Sequence, residues 1–196
     1  ILHLIDYTDV GGGEAALLAM LDEARLRVPA LRHVAVVRGP GPLEDALAGL
    51  GVETRRVPYP ARFRRGLLPC WGRAAARELA RLMACEAPRL VHAQHVFGLL
   101  HGGRAARRRG VPVLWTCHGP FDIDHPIKRW AARRYAAHIA CVSADVERAV
   151  RRAVGPRVPT SVDPLGIRPA GLDAPPSHVR RDVRAEFGVP GDAPLI

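Results

Sequence analysis

The chain has 196 residues, of which 48% are hydrophobic, and this is enough for one well-buried domain and the beginning of another. No segment approaches the roughly 20 uninterrupted apolar residues that span a bilayer, and the first residues lack the features of a signal peptide, so we expect a cytoplasmic protein. The charge is basic, with 29 Lys and Arg against 19 Asp and Glu, and would attract nucleic acid, anionic membranes or phosphorylated substrates. Four cysteines without a C-x-x-C pair indicate neither a zinc site nor a disulfide framework.

The first fourteen residues predict a strand, a glycine loop and the start of a helix. The apolar run over residues 1–5 is typical of a buried parallel strand, and Gly11, Gly12 and Gly13 stand just before Glu14. Glycines let the backbone approach a ligand closely, and the free N–H groups at the start of a helix bind anions. The stretch therefore predicts a phosphate cradle; the alternative is a tight turn in which glycine only relieves strain.

Strands and helices alternate from this loop to about residue 154. The predicted strands cover residues 1–5, 34–37, 52–57, 90–93, 113–117 and 139–142. The predicted helices cover residues 17–28, 43–50, 75–88, 97–109 and 128–137, and a last helix begins after Ser143, which is a good N-cap. This alternation predicts an α/β fold, a Rossmann-like parallel sheet with helices on both faces. From Pro156 onward prolines interrupt the pattern, so we predict a linker there rather than core, followed by a short helix over residues 179–187.

Ligands of such sheets bind at the carboxyl ends of the strands. The polar residues at these ends are the candidates, and they are residues 6–14, Arg38, residues 92–95, residues 118–124 and Ser143. His118 stands at the end of a predicted strand, directly before Gly119, where its ring could hydrogen-bond a sugar hydroxyl or a phosphate. A structural histidine that is satisfied by the backbone is the alternative at this position.

Two other kinds of site are disfavoured by the spacing of the residues. A dinucleotide site would need a glycine where Ala16 stands and an acid where Arg38 stands. His92 and His95 would point to opposite faces of one strand, which favours a partly exposed, hydrogen-bonded pair over a metal site. The acid-x-acid pair Asp122 and Asp124 resembles a metal-binding pair, but such short patterns are common by chance, and we predict no metal site.

Five spaced motifs together resemble the N-terminal domain of the GT-B glycosyltransferases, and in particular the retaining family four. They are Gly-Gly-Gly-Glu at 11–14, Val-His-Ala-Gln-His at 91–95, Pro-Val-Leu-Trp-Thr-Cys-His-Gly at 112–119, Val-Ser at 142–143 and Pro-Leu-Gly-Ile-Arg at 164–168. The tail at 184–190 is similar to the segment before the family's second domain, so the resemblance covers the whole chain. Gln94 replaces a histidine of the family pattern, and Leu165 and Arg168 replace an Asn and an Asp.

The resemblance implies transfer of a sugar from a nucleotide-diphosphate donor to an acceptor hydroxyl, with retention, in a cleft between two domains. Residues 1–170 would form the acceptor-side domain, and residues 171–196 the linker and the start of the C-terminal nucleotide-sugar-binding domain. Because most of the donor contacts belong to that missing domain, we expect the isolated chain to be inactive. The resemblance implies that His118 contacts the donor sugar and the reacting region. The implied donor- or substrate-binding residues are Gly11, Gly12, Gly13, Glu14, His92, Gly119 and Ser143. No cofactor, metal or covalent nucleophile is implied.

The basic composition suggests two further hypotheses. A non-catalytic module for nucleic acid is disfavoured, because the arginines lie on the backs of predicted helices and no nucleic-acid motif is present. The segment 55–65 carries five arginines together with Tyr59 and Phe63, which suits the headgroup region of an anionic membrane and would fit a lipid acceptor. A solvated loop is the alternative for this segment.

Overall fold

Short apolar strands, each followed by a helix, build a seven-stranded parallel sheet. The computed structural model describes residues 1–60, 72–166 and 184–190. In chain order the elements are β1 (Leu2–Leu4), α1 (Gly12–Arg27), β2 (Val34–Val37), α2 (Pro42–Gly49), β3 (Glu53–Arg56), α3 (Arg73–Glu86), β4 (Val91–Ala93), α4 (Val96–Arg108), β5 (Val113–Cys117), a 3-10 helix (Pro120–Asp122), α5 (Pro126–Tyr135), β6 (His138–Cys141), α6 (Ala144–Val154) and β7 (Thr160–Val162). The α/β fold class predicted from the sequence is confirmed.

The strand order is β3-β2-β1-β4-β5-β6-β7, so the direction of chain growth reverses between β1 and β4. Crossovers between parallel strands are right-handed, which places α1 and α2 on one face of the sheet and α3 to α6 on the other. The helix contacts agree, because α1 touches α2 while α3, α4, α5 and α6 touch one another in sequence. Ligands of open α/β sheets bind beside such a reversal, so the ends of β1 and β4 are where a site is expected.

Side chains of successive strand residues enter two separate cores, as the period of two in a strand requires. The larger core contains Leu2, Leu4 and the fully buried Trp115 and extends under α3 to α6. The smaller core lies under α1 and α2 and contains Ile5 and Val37. The apolar runs of the sequence are therefore explained by strands that are covered on both faces.

The compact unit of the chain is Ile1–Gly166, and a second unit spans Ile167–Ile196. Within the second unit, residues 184–186 are helical. Residues 179–183 of the helix predicted at 179–187 lie outside the described residues. The predicted domain boundary between residues 170 and 171 also lies outside the described residues, and it stays a prediction.

The prediction of a linker from Pro156 is wrong for residues 160–162, which form the edge strand β7 beside β6. The carbonyl of Pro159 accepts a hydrogen bond from the N–H of Ile139 at 3.0 Å, and Val158 is buried. An edge strand needs hydrogen bonds on one side only, so prolines can stand next to it without disrupting the sheet. The prolines that suggested a linker therefore flank a strand.

The basic segment 55–65 begins inside the sheet. Arg55 and Arg56 belong to β3 and pair with carboxylates, Arg55 with Glu86 and Arg56 with Glu44, each at 2.8 Å. The membrane hypothesis requires an exposed Tyr59, but its side chain is buried and cannot contact a membrane. Residues 61–65 lie outside the described residues, and membrane contact by this segment stays a prediction. In the described ranges, no helix is long and apolar enough to cross a bilayer.

A row of histidines crosses the sheet on the side of α1. Nε2 of His3 lies 2.9 Å from Nδ1 of His33, and Nδ1 of His3 lies 3.2 Å from Nδ1 of His92. Nε2 of His92 lies 2.8 Å from Oγ1 of Thr116. The prediction that His92 and His95 form a partly exposed pair is therefore wrong, because His92 is buried and faces His3. Strand β4 ends at Ala93, and His95 belongs to the following turn.

We expect this row to make the fold sensitive to acid. Burial lowers the pKa of His3 well below its ordinary value and lowers the pKa of His92 to about 4, with the neighbouring histidines adding to the shift. The unfolded chain therefore binds more protons than the folded chain below about pH 6.5, and stability falls as the pH falls from there towards 4. His92 alone should cost about 2 kcal/mol between pH 7.5 and 5.

Urea unfolding at pH 7.5 and pH 5 measures this loss, and His92→Gln should reduce it. The exposed His125 begins α5 by accepting a hydrogen bond from the N–H of Ile127, and His125→Asn keeps a capping side chain there. This control variant should retain the full loss of stability. Equal stability of the unsubstituted protein at the two pH values would contradict the prediction.

Candidate active site

The loops that follow β1, β4 and β5 meet at the carboxyl edge of the sheet, beside the reversal of strand order. They bring together a set of ionisable side chains from distant parts of the sequence. The set comprises Asp6 after β1, Glu14 in the first turn of α1, His95 after β4, and His118 and Asp122 after β5. The expectation that polar residues at strand ends share one edge thus agrees with the structure for these five.

The glycine loop leads directly into α1. Gly11 is the N-cap residue, its backbone is extended, and its N–H donates to Oε2 of Glu14 at 3.1 Å. None of the three glycines has a positive φ, so relief of backbone strain does not explain them. A Cβ at Gly12 would have no described atom within 4 Å, whereas a Cβ at Gly13 would lie 3.0 Å from Cε1 of His118. Gly12 thus presents an open helix start, and Gly13 permits close contact with His118.

Glu14 connects the glycine loop to the start of α4. Its Oε1 lies 2.8 Å from Nε2 of His95, while its Oε2 accepts from Gly11. Burial opposes the ionisation of Glu14, but the hydrogen bonds from His95 and the backbone outweigh it and lower the pKa of the carboxyl group. Glu14 was expected to contact the donor substrate, yet both of its oxygens have partners within the chain.

His95 is the N-cap residue of α4, and its ring lies between two others. The ring centroids of His95 and Tyr7 are 4.7 Å apart, and those of His95 and His118 are 5.2 Å apart. Burial by itself would lower the pKa of His95, but Glu14 together with Asp6 and Asp122 raises it. His95 is among the polar residues predicted at strand ends, but no local pattern pairs it with Glu14, because the two are 81 positions apart.

His118 directly follows β5 and packs against the glycine loop. Its backbone N–H donates to Oδ2 of Asp122 at 3.0 Å, which fixes the turn after the strand. Its Nε2 is buried and has no hydrogen-bond partner among residues 1–60, 72–166 and 184–190. Burial, followed by the charge of His95, lowers the pKa of His118. At neutral pH the ring is therefore uncharged.

Two buried carboxyl groups flank these histidines. Burial raises the pKa of Asp122 to about 6 and also raises the pKa of Asp6, whose Oδ1 has no partner in the described part of the chain. Asp124, the other member of the acid-x-acid pair, is exposed and pairs with Lys128 at 2.9 Å. The two acids therefore do not share a ligand. Within the described ranges, no group of three or more potential metal ligands is arranged to hold an ion.

The remaining predicted site residues have structural partners. Gly119 begins the 3-10 helix, and a Cβ there would collide with the ring of Phe121. Ser143 accepts from the N–H of Val146 at 3.3 Å, which confirms it as the N-cap of α6. His92 lies in the histidine row and also lines a groove of about 470 Å³ beside Gly13. The structure thus groups Gly11, Gly13, Glu14 and His118, with His92 in the neighbouring histidine row and Ser143 at the start of α6.

A Rossmann-like sheet of this order, with its polar cluster beside the reversal between β1 and β4, agrees with the N-terminal half of the GT-B glycosyltransferases. Residues 11–170 match glycosyltransferase family 4, and the chain belongs to that family. The resemblance drawn from the five motifs is therefore confirmed. No curated protein matches the chain significantly.

Solved structures with the same fold are about twice as long as this chain. The Anabaena protein Alr3699/HepE, in complex with UDP and glucose, has a TM-score of 0.71 and 18% identity, over 95% of this chain and 50% of that one. A glycosyltransferase from Rickettsia africae has a TM-score of 0.66 and 13% identity, over 98% and 50%. A putative UDP-N-acetylglucosamine 2-epimerase from Listeria monocytogenes scores 0.60 at 13% identity, over 82% and 44%. Since an epimerase shares the fold, the family match carries the assignment as a transferase.

Proposed function

We propose that the full-length protein transfers a sugar from a nucleotide-diphosphate donor to an acceptor hydroxyl, with retention of configuration, and that this chain forms the acceptor side of the cleft. The observation that carries the proposal is the contact between Gly13 and His118, which places an uncharged imidazole beside the open start of a 16-residue helix. The first turn of that helix offers unpaired N–H groups to phosphate, and the imidazole can bind a hydroxyl.

The N–H groups of Gly12 and Gly13 are the ones that would receive the donor phosphates. Helix geometry leaves them without partners inside α1, and the open space beside Gly12 allows a phosphate to approach. The helix dipole adds a partial positive charge at this end. Repulsion by the nearest carboxylate is reduced, because Glu14 pairs with His95.

The chemistry we propose is electrostatic. As the bond between sugar and diphosphate breaks, negative charge accumulates on the leaving phosphate, and preorganised N–H groups stabilise that charge. His118 would hold a hydroxyl of the donor sugar and so orient the reacting carbon. We expect no glycosyl-enzyme intermediate, since the resemblance to the family implies no covalent nucleophile in this domain.

The nucleotide part of the donor is supported by the relatives. Alr3699/HepE has been crystallised with UDP and with UDP-glucose, so a uridine diphosphate sugar is the first donor to test. The chain spans about half the length of that protein, and we propose that a second domain completes the donor site.

A turnover assay tests this function. We expect the full-length protein to release nucleoside diphosphate from a nucleotide sugar in the presence of an acceptor, and we expect the 196-residue chain alone to release none. The matched control is the full-length His118→Ala variant, which has both domains but lacks the imidazole. Turnover by the isolated chain would contradict the two-domain proposal, and a product of inverted anomeric configuration, read by NMR, would contradict retention.

A further inference from the structure

His95 is a half-buried member of the site that pairs with Glu14, and the proposed reaction gives it no task. Its ring is fixed on three sides. Nε2 lies 2.8 Å from Oε1 of Glu14, and the ring centroid of His95 lies 4.7 Å from that of Tyr7 and 5.2 Å from that of His118. Glu14 is itself fixed by the N–H of Gly11, so the position of the His95 ring is coupled to the glycine loop. A charge on the His95 ring would therefore act at a fixed distance on His118.

We propose that His95 is a positioning residue, whose imidazolium, held by Glu14, lies against His118 and keeps the ring of His118 uncharged. The inference rests on the proposed function, in which His118 binds a substrate hydroxyl. It gives a function to His95, the last residue of the Val-His-Ala-Gln-His motif. In this function His95 acts through His118 and does not touch the substrate. Glu14 takes a supporting task as the partner of His95.

The charges around His95 favour its protonated form. The groups that face it come from three different elements, and they are Asp6 after β1, Glu14 on α1 and Asp122 in the 3-10 helix. All three are acids, and together they outweigh the cost of burying the charge, so the pKa of His95 is raised. Tyr7 packs on the ring without contributing a charge at neutral pH, because burial and nearby acids raise its pKa.

The surroundings of His118 have the opposite effect. Burial is the largest cause of its lowered pKa, and the charge of His95 is the next. Glu14 and a hydrogen bond with the backbone of Gln94 act against this shift without cancelling it. His92, the other ionisable ring near His118, has a pKa of about 4 and is neutral in the working range. The pKa values of two adjacent histidines are thus shifted in opposite directions.

The division has a chemical consequence. An uncharged imidazole has one nitrogen that accepts a hydrogen bond and one that donates, whereas an imidazolium only donates. Without the charge of His95, His118 would become protonated at a higher pH and would lose its acceptor. A unit charge at about 5 Å shifts a pKa by about one unit when the effective dielectric constant is about 50, which lies between the values for bulk water and for a protein surface.

The test uses the full-length protein with histidine rings labelled at Cε1, and follows each ring by NMR between pH 5 and 8.5. We expect His95 to titrate above the ordinary histidine value and His118 below it. In His95→Gln, which keeps a donor for Glu14, the midpoint of His118 should rise by about one pH unit. The acid limb of kcat/KM should move upward by the same amount.

His125→Asn is the matched control, since the exposed His125 caps α5 and does not line the groove beside Gly13. It should leave the midpoint of His118 and the acid limb unchanged. An unchanged midpoint of His118 in His95→Gln, or a titration of His95 below the ordinary value, would overturn the inference. Because the NMR titration needs no turnover, it decides the task of His95 even if no sugar is transferred, and that second result would count against the proposed function alone.

Discussion

His118→Ala in the full-length enzyme is expected to lower kcat/KM by about 10²-fold to 10³-fold, which is the usual loss when one preorganised contact to the reacting region is removed. Thermal stability should change little. The hydrogen bond from position 118 to Asp122 uses the backbone N–H, which alanine retains, so the loss is limited to the packing of the ring and its hydrogen bond with the backbone of Gln94. Steady-state kinetics and a thermal unfolding curve on the same preparation measure both effects.

The control for this variant is His125→Asn, which lies outside the site and keeps the cap of α5. It should retain full activity. The opposite result for His118→Ala would be an unfolded protein whose remaining folded fraction is fully active. That outcome would assign His118 to structure, because its ring packs against Gly13 and His95.

Gly12→Val is expected to weaken the binding of the nucleoside diphosphate at least tenfold, or about 1.4 kcal/mol, without unfolding the protein. The side chain would occupy the open space through which a phosphate reaches the helix N-terminus. The fold should tolerate it, since the backbone at Gly12 has an ordinary φ and no described atom lies within 4 Å of the new Cβ. Calorimetry with the nucleoside diphosphate on the full-length protein measures the change.

Two glycine variants separate this effect from others. Gly49→Ala also adds a Cβ to open space, but at the far end of α2, and should leave the affinity unchanged. Gly13→Ala would press on His118 at 3.0 Å and should lower kcat more than the affinity for the diphosphate. If Gly12→Val kept the affinity of the unsubstituted enzyme, the phosphates would bind elsewhere than at the start of α1.

Most strands and the loops after them could be predicted, because each is marked by residues that are neighbours in the sequence. Runs such as Val34–Val37 and Val113–Cys117 are apolar since both faces of the sheet are covered, and each is followed by glycine, proline or a polar residue. These signals suffice to place Gly12 and His118 at one edge of a parallel sheet. They fail for β7, whose prolines are typical of a linker, and whose strand conformation depends on pairing with β6.

The sequence by itself therefore determined the α/β fold, the family and the edge at which the site lies, because periodicity and spaced motifs report on neighbouring residues. Only the tertiary structure decided which side chains meet at that edge. Glu14 and His95 are 81 positions apart, and His3 and His92 are 89 apart, so no local pattern pairs them. Their protonation states depend on burial and on charges from other loops, which exist only once the sheet has formed.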